Sequence, residues 1–371
     1  MRECTYEDVC QLAPLDILTA LHAEIVADMR NDLARAGRAA ALAHEVARMH
    51  PDSAHWSMGS AVLFVPRYAE SLAHYDQALA WYARAQEQTG RAEISPDVRV
   101  VEVVRVFCLN ELGRYQEALA AATRAEAWLR DHPTPRVRLT LLINRSLLAG
   151  HMGDYPAMLT LADETIALAA DLDSRAQYAM GWINRGYACI WLGRFDEAEA
   201  AIATGQQAAA TAEEGLTFAR AQINRAWLLR CTGRLFAALT LLKEAERGMA
   251  QAEGERATIA LEQAGLYAQL RQLREAQAAA ERAADLFDAQ SMPLYSASAY
   301  LQAARLMIEQ QRPSEAEPLL GKARQRAVGL GLVPLEAEIV TAAARAAALP
   351  PKPGAPQPRR KAARAALAAA L

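Results

Sequence analysis

The sequence is poor in the residues that β-strands favour, and it has no charge excess of either sign. Aromatic residues make up 6% of its 371 positions, and β-branched residues are sparse beside alanine, leucine, glutamate, arginine and glutamine. A composition of this kind favours helices and predicts few strands. With 40 Lys and Arg against 43 Asp and Glu, the formal net charge is −3. No global electrostatic attraction to nucleic acid or to an anionic membrane is therefore expected.

Cysteine is scarce, and long apolar runs are missing. The five cysteines are odd in number and contain no CxxC pair, which is typical of reduced thiols in a cytosolic protein. No apolar run reaches the ~18–20 residues needed to cross a bilayer. Met1–Leu33 lacks the basic start and apolar stretch of a signal peptide. We therefore expect a soluble, cytoplasmic protein that does not enter a membrane.

Motifs for catalysis are missing as well. The chain contains no GxSxG elbow, no GxxxxGK[ST] phosphate loop and no GxGxxG after a strand. His44 and His50 are separated by six residues, which places them on different faces of a helix. The sequence thus predicts no enzyme activity, no catalytic residue, no metal site and no cofactor.

A short turn-and-helix phrase recurs along most of the chain. It is clearest around Gly113, Gly153, Gly193 and Gly233, which are spaced 40 residues apart. Weaker copies bring the number of units to about eight, with turns expected near residues 37, 73, 113, 153, 193, 233, 271 and 311. A left-handed glycine can end the first helix of each unit. An aromatic residue or leucine follows two residues later, and then an alanine that allows close helix packing.

A second small residue lies seven positions before most of these turns, as at Ser146, Gly186 and Ala226. Small side chains on both helices of a unit predict tight antiparallel packing. The order of a small residue, seven positions, Gly-x-aromatic-x-Glu-Ala and an amphipathic helix resembles the tetratricopeptide repeat (TPR). The units here run about 40 residues, whereas TPR units typically run 34, so longer helices are expected.

The resemblance implies an all-α fold, a right-handed α-solenoid of about eight antiparallel helix pairs over residues 1–349. Residues 350–371 are expected to form a Pro-rich linker and a short basic, Ala-rich tail. The repeat length is similar to that of TPR regions in bacterial multidomain regulators, such as CHAT-type proteases and ATP-binding transcription regulators. Two functions therefore stay open. One is a scaffold that binds a protein or peptide, and the other is a regulatory or sensor region attached to an effector domain.

Two rows of polar residues repeat on the first helices of the central units. One row is Asn144, Asn184 and Asn224, and the other is Arg105, Arg145, Arg185 and Arg225. Equivalent residues of stacked units should lie on the order of 10 Å apart. The arginine row would suit an acidic partner, or it would pair internally with carboxylates of second helices such as Glu117 and Glu197.

Resemblance to peptide-binding TPR proteins helps to assign the two rows. It implies that the asparagines Asn144, Asn184 and Asn224 face the concave groove, where such residues hydrogen-bond a ligand backbone. The arginines Arg145, Arg185 and Arg225 then lie toward the seam between helices, at the edge of the partner site. Tyr187 and Trp227, three residues beyond their asparagines, could form an apolar floor for the groove or belong to the core.

Overall fold

A computed structural model describes residues 68–89, 96–212, 214–248, 253–290, 292–328 and 333–349. The turn expected near residue 37, the His44–His50 pair and the tail at 350–371 lie outside these described residues. Within them, every regular element is an α-helix and no strand occurs. The helices are α1 Tyr68–Thr89, α2 Pro96–Glu111, α3 Tyr115–Asp131, α4 Pro135–His151, α5 Tyr155–Asp171, α6 Arg175–Trp191, α7 Phe195–Thr211, α8 Gly215–Cys231, α9 Leu235–Gly248, α10 Glu253–Gln269, α11 Leu273–Ala289, α12 Pro293–Glu309, α13 Pro313–Ala327 and α14 Val333–Ala348.

The chain divides into two compact units, Met1–Asn224 and Arg225–Leu371. In the described part of the first unit, consecutive helices pack against one another, and the first helix α4 also contacts the first helices α2 and α6. We call α2, α4, α6 and α8 first helices, and α3, α5 and α7 second helices. This alternation is the helix-pair architecture that the repeat predicts.

Left-handed residues end the first helices. Gly113, Gly153, Gly193 and Gly233 have φ between 71° and 81°. At Gly113 the glycine N–H donates to the carbonyl of Asn110 at 3.0 Å, and Arg114 N–H donates to that of Leu109 at 2.8 Å. These bonds satisfy carbonyls that the helix end would otherwise leave without partners. Each turn therefore reverses the chain within three residues.

Two turns in the second unit use residues other than glycine. Arg271 and Gln311 adopt φ of 59° and 57°, at the two positions where the repeat phrase is most degenerate. The turn expected near residue 73 is wrong, because α1 runs without a break from Tyr68 to Thr89. The repeat motif around residue 73 contains no glycine that could adopt a positive φ and end the helix.

Close packing within a pair depends on the small residues. A Cβ added at Gly186 in α6 would lie 2.5 Å from the Cγ1 of Ile202 in α7. Ser146 in α4 is fully buried, and its hydroxyl donates to the carbonyl of Met158 at 3.3 Å. Because only small side chains leave room for the facing helix, these positions fix the spacing within each pair.

The second unit is held partly by one polar cluster. The carboxylate of Asp288 in α11 accepts two hydrogen bonds from Arg326 in α13, at 3.1 and 2.8 Å. Tyr300 of α12 donates its hydroxyl to the same carboxylate at 2.9 Å, as does Ser296. The pKa of Asp288 is lowered although burial opposes this, because these donors favour its charged form. The cluster ties three helices together.

Candidate partner-binding face

The asparagines share one stripe along the first helices of the first unit. Positions separated by 4, 7 and 11 residues fall within about 60° of one another on a helix. We call the surface made by these stripes of α2, α4 and α6 the first-helix face. Its members are Val100, Val104, Phe107 and Glu111, then Thr140, Asn144, Leu147 and His151, then Met180, Asn184, Tyr187 and Trp191.

Asn144 and Asn184 lie on this face and Asn224 holds the equivalent position on α8; the amide nitrogens of all three contact the preceding first helix. Asn144 donates from Nδ2 to the carbonyl of Val103 at 2.9 Å, and Asn224 donates in the same way to Ile183 at 3.4 Å. Asn184 makes a weaker contact, with its Nδ2 3.5 Å from a serine hydroxyl of the preceding first helix. The asparagines thus link successive repeats, a role that the sequence did not predict.

The hydrogen bonds described for these three residues use their amide nitrogens and not their carboxamide oxygens. Asn144 and Asn184 are 6% and 8% exposed, and Asn224 is half-buried. None of the three oxygens is among the buried polar atoms without a partner in the described part of the chain. The three oxygens are therefore not fully enclosed, and each keeps the capacity to accept a hydrogen bond.

The arginine row points elsewhere and is paired with carboxylates of the protein itself. Arg145 forms an ion pair with Glu126 of α3. Arg185 lies 2.9 Å from Asp163 of α5 and 3.4 Å from Glu197 of α7. Both residues therefore follow the internal alternative, in which the row bridges first helices to second helices. Arg185 is about 100° around the helix from Asn184.

Arg105, one repeat earlier, follows the same pattern. Its guanidinium lies 2.6 Å from Asp76 of α1 and 2.9 Å from Glu102. Glu117, named as a candidate partner of the row, instead pairs with Arg114 at 2.6 Å. The pKa of Glu117 is lowered, chiefly by that hydrogen bond. The charges of Arg105, Arg145 and Arg185 are thus balanced inside the first unit.

Aromatic rings gather at the turn end of the first-helix face. Tyr187 is half-buried, and its ring centroid lies 6.5 Å from that of Trp191, with the planes tilted by 57°. Trp191 is 49% exposed and stacks on Tyr155 of α5, at 4.8 Å between centroids and 7° between planes. Trp191 was missed by the sequence analysis, although its place at the end of α6, four residues after Tyr187, was the available signal.

On α2, α4 and α6 the first-helix face is almost free of charge, whereas the equivalent stripe of α8 begins with the exposed Arg220. Glu111 is the single Asp, Glu, Lys or Arg among its twelve residues, and it is only 8% exposed. The Nδ1–H of His151 donates a 3.0 Å hydrogen bond to the Oδ1 of Asn110. Burial lowers the pKa of His151 to about 4, so the imidazole is neutral at physiological pH and donates this bond.

The remaining two predicted residues, Arg225 and Trp227, belong to the second unit. Arg225 is exposed and Trp227 is half-buried. The first helices of this unit carry polar side chains at the stripe positions. Glu262, in the register of the asparagines, pairs with Arg230 at 3.2 Å. A Cβ at Gly265 would meet the Arg230 Nη1 at 2.8 Å, so this glycine makes room for the guanidinium.

A pocket of about 300 Å³ lies between α9, α10 and α11 in the second unit. Its polar groups bond among themselves. Gln263 donates to Glu246 at 2.9 Å, and Arg282 donates to Gln263 at 2.8 Å. The pocket is therefore lined by a structural network that joins three helices.

The described residues offer neither a metal site nor a membrane-spanning helix. There, no group of three or more His, Cys, Asp or Glu is arranged to hold a metal ion. Across the same residues, every helix is too short or too polar to span a bilayer. Burial raises the pKa of Cys108, and it is also the main cause of the raised pKa of Cys189. Neither thiol is activated for nucleophilic chemistry.

Comparison with solved structures supports the assignment of the fold. A Rap protein complexed with Competence and Sporulation Factor aligns at 12% identity with a TM-score of 0.64, covering 91% of each chain. NprR in complex with its cognate peptide NprX aligns at 14% identity with a TM-score of 0.53, covering 76% of this chain and 82% of that one. No protein-family model matches the sequence, and no curated protein does.

A third similar structure has a longer chain. It is a signal transduction ATPase with numerous domains, carrying a tetratricopeptide repeat sensor, from Pyrococcus horikoshii. The identity is 11% and the TM-score 0.52, over 98% of this chain and 53% of that one. The chain therefore spans about half of that protein. Together these similarities define the fold as an all-α, TPR-like helical-repeat solenoid.

Proposed function

We propose that this chain is a binding module that holds an extended segment of a protein or peptide on the first-helix face of its first unit. The observation that carries the proposal is the row of asparagine oxygens at Asn144, Asn184 and Asn224. Their nitrogens are held by the preceding repeat, so the oxygens keep a fixed orientation. The bound ligands in the NprR and Rap structures support a binding role for this fold.

The spacing of the row fits an extended chain. Packed helices of neighbouring repeats lie on the order of 10 Å apart, and a peptide in the extended polyproline II conformation advances about 3.1 Å per residue with three residues per turn. One repeat therefore corresponds to about three peptide residues, and every third backbone N–H of such a ligand points to the same side. A segment of about seven residues can then donate one hydrogen bond to each of the three asparagine oxygens.

Random heptapeptides displayed on phage and selected on the full chain provide the test. Peptides recovered in this way are expected to lose about two- to tenfold in affinity when Asn184 is replaced by alanine, because one hydrogen bond contributes about 0.5–1.5 kcal/mol. Isothermal titration measures the affinity, and circular dichroism checks the fold of each variant.

Asn184→Asp separates the two roles of the side chain. It loses the weak contact from Nδ2 but keeps an oxygen that accepts from a backbone N–H. Binding by Asn184→Asp close to that of the unchanged chain, with loss in Asn184→Ala, supports the acceptor role. Equal binding by the unchanged chain and Asn184→Ala, with the fold intact, would remove the asparagine row from the site.

A second candidate is that the solenoid is the sensor region of a larger regulatory protein. The similarity to the P. horikoshii signal transduction ATPase favours it, since that protein has numerous domains and carries a tetratricopeptide repeat sensor. An antibody against residues 96–212 would measure the size of the native protein in cell extracts. The sensor hypothesis expects a species much heavier than 40.3 kDa, and a species of that mass contradicts it.

A further inference from the structure

Three repeats carry the same ion pair at the start of the helix that follows the turn. An arginine directly after the turn donates to both carboxylate oxygens of a glutamate three residues later. The pairs are Arg114–Glu117, Arg194–Glu197 and Arg312–Glu315. In Arg194–Glu197 both bonds measure 2.6 Å, and the pKa of Glu197 is lowered chiefly by the bond from Arg194. This position of the repeat therefore binds a charged carboxylate where the sequence supplies one.

Arg234 holds the same position at the turn between α8 and α9 but has no such partner. Its backbone N–H donates to the carbonyl of Leu229 at 2.8 Å, as that of Arg194 does to Cys189 at 2.9 Å. The residue three positions later is Ala237, and the first turn of α9 contains no acidic residue. Arg234 is exposed, and its guanidinium forms no hydrogen bond or ion pair with the residues that the structure describes.

A large aromatic side chain is exposed two residues after Arg234. Phe236 is 74% exposed, the largest fraction for a large apolar side chain in the described part of the chain. The equivalent residues of the three paired repeats are polar, namely Gln116, Asp196 and Ser314. An aromatic ring in water is unfavourable, and aromatic residues and arginine are both enriched in protein interfaces. The loss of the internal carboxylate thus coincides with the gain of an exposed ring.

The surrounding charges leave Arg234 uncompensated. Arg230 is the one other charged residue between positions 230 and 242, and it pairs with Glu262 at 3.2 Å. An acidic group of a partner would therefore gain an ion pair at Arg234, whereas a basic group would be repelled. An apolar group that covers Phe236 would also exclude water from this ion pair and strengthen it.

We infer that the turn between α8 and α9 docks an acidic side chain of a partner protein, Glu or Asp, that lies next to a large apolar residue. The carboxylate takes the place of the missing glutamate on Arg234, and the apolar residue packs against Phe236. Charge complementarity selects the acidic group, and the exposed ring selects its apolar neighbour. The site uses none of the residues of the first-helix face, so it goes beyond the proposed function.

The variant Ala237→Glu tests this site, because it supplies the missing carboxylate from within the chain. Ala237 is exposed, and a glutamate in the first turn of a helix is favourable, so the fold should stay intact. Ala237→Gln is the matched control, since it has the same size without the charge.

Heptapeptides selected on the full chain would be sorted by loss of binding to Ala237→Glu. They are joined to the phage through their C-termini, so their carboxylates come from side chains alone. We expect the lost pool to be enriched in Asp or Glu next to Leu, Ile, Met, Phe or Trp, and to bind Ala237→Gln as it binds the unchanged chain. Peptides on the first-helix face should bind Ala237→Glu unchanged. An empty lost pool, or one without acidic residues, would overturn the inference.

Single variants separate the two contacts. Isothermal titration of the lost pool should show affinity reduced up to about fivefold by Arg234→Gln, as for an exposed ion pair, and about tenfold by Phe236→Ala, as for an aromatic anchor. Arg114→Gln should leave binding unchanged, because Arg114 is already paired with Glu117. Raising the salt concentration from about 0.05 M to about 0.5 M should weaken binding to the unchanged chain more than to Arg234→Gln. Equal binding by the unchanged chain and Arg234→Gln would overturn the ion pair.

Discussion

Replacing Gly186 by alanine tests the close packing on which the repeat depends. The new methyl group would lie 2.5 Å from the Ile202 Cγ1 and 3.4 Å from the Ile202 backbone nitrogen. Ile202 is only 1% exposed, so its side chain has no free space into which to move. Helix α6 and helix α7 must then separate by several tenths of an ångström, or Ile202 must leave its rotamer.

Two opposing effects set how far Gly186→Ala changes the free energy of unfolding. Alanine is favoured over glycine in a helix interior by about 0.8–1 kcal/mol. Overpacking a close-packed core costs about 1–3 kcal/mol. We expect the second effect to win, with a net loss of about 1 kcal/mol in the free energy of unfolding. Urea denaturation followed by far-UV circular dichroism measures this loss.

Two further variants make the result specific. Gly321 in α13 is also helical, but nothing lies within 4 Å of a Cβ placed there. Gly321→Ala should therefore raise stability by up to about 1 kcal/mol. Ile202→Ala removes the atom that collides, so Gly186→Ala should cost less in that background than in the unchanged chain. Stabilisation by Gly186→Ala alone would refute the packing argument.

Three other predictions follow from local geometry. Gln311→Gly should raise the free energy of unfolding by about 0.5–1 kcal/mol in urea denaturation. A non-glycine residue in the left-handed backbone conformation costs about 1–2 kcal/mol, and the flexibility of glycine in the unfolded chain offsets part of that gain. A loss of stability contradicts this. The buried, neutral His151 has a lowered pKa, about 4, so the unfolded chain takes up a proton first as pH falls from 6.5 toward 4. Stability should drop there by up to about 1.4 kcal/mol per pH unit, and His151→Gln should make the drop shallower by one proton; an identical pH profile contradicts this. Iodoacetamide should label the exposed Cys231 in the folded protein but the buried Cys108 only after unfolding, as peptide mass spectrometry would show; rapid labelling of both contradicts this.

The repeat register was predictable because its signals are local. A glycine that must adopt positive φ, followed at fixed distance by an alanine, predicts a turn between two helices without any knowledge of the partner helix. The same logic failed at residue 73, where the phrase has no glycine and α1 continues from Tyr68 to Thr89. At Arg271 and Gln311 the turns formed without glycine, because the surrounding pairs impose them.

The candidate site was less predictable, because pairing between repeats decides it. Period alone identified the arginine row, but a period does not reveal that Asp163 and Glu126 lie within reach of Arg185 and Arg145. It also does not reveal that the asparagine nitrogens bond to the preceding repeat. The exposure of Trp191 depends on how adjacent turns stack. These features follow from the spacing between helices, which the sequence pattern does not contain.

The central claim is that the first-helix face of the first unit holds the partner segment. Photocrosslinking tests it most directly. A heptapeptide selected on the full chain would carry a photoreactive phenylalanine at its central position, and mass spectrometry would identify the residues of the protein to which it becomes attached. We expect attachment to Met180, Tyr187 or Trp191. Attachment confined to second helices, such as α5 or α7, would contradict it.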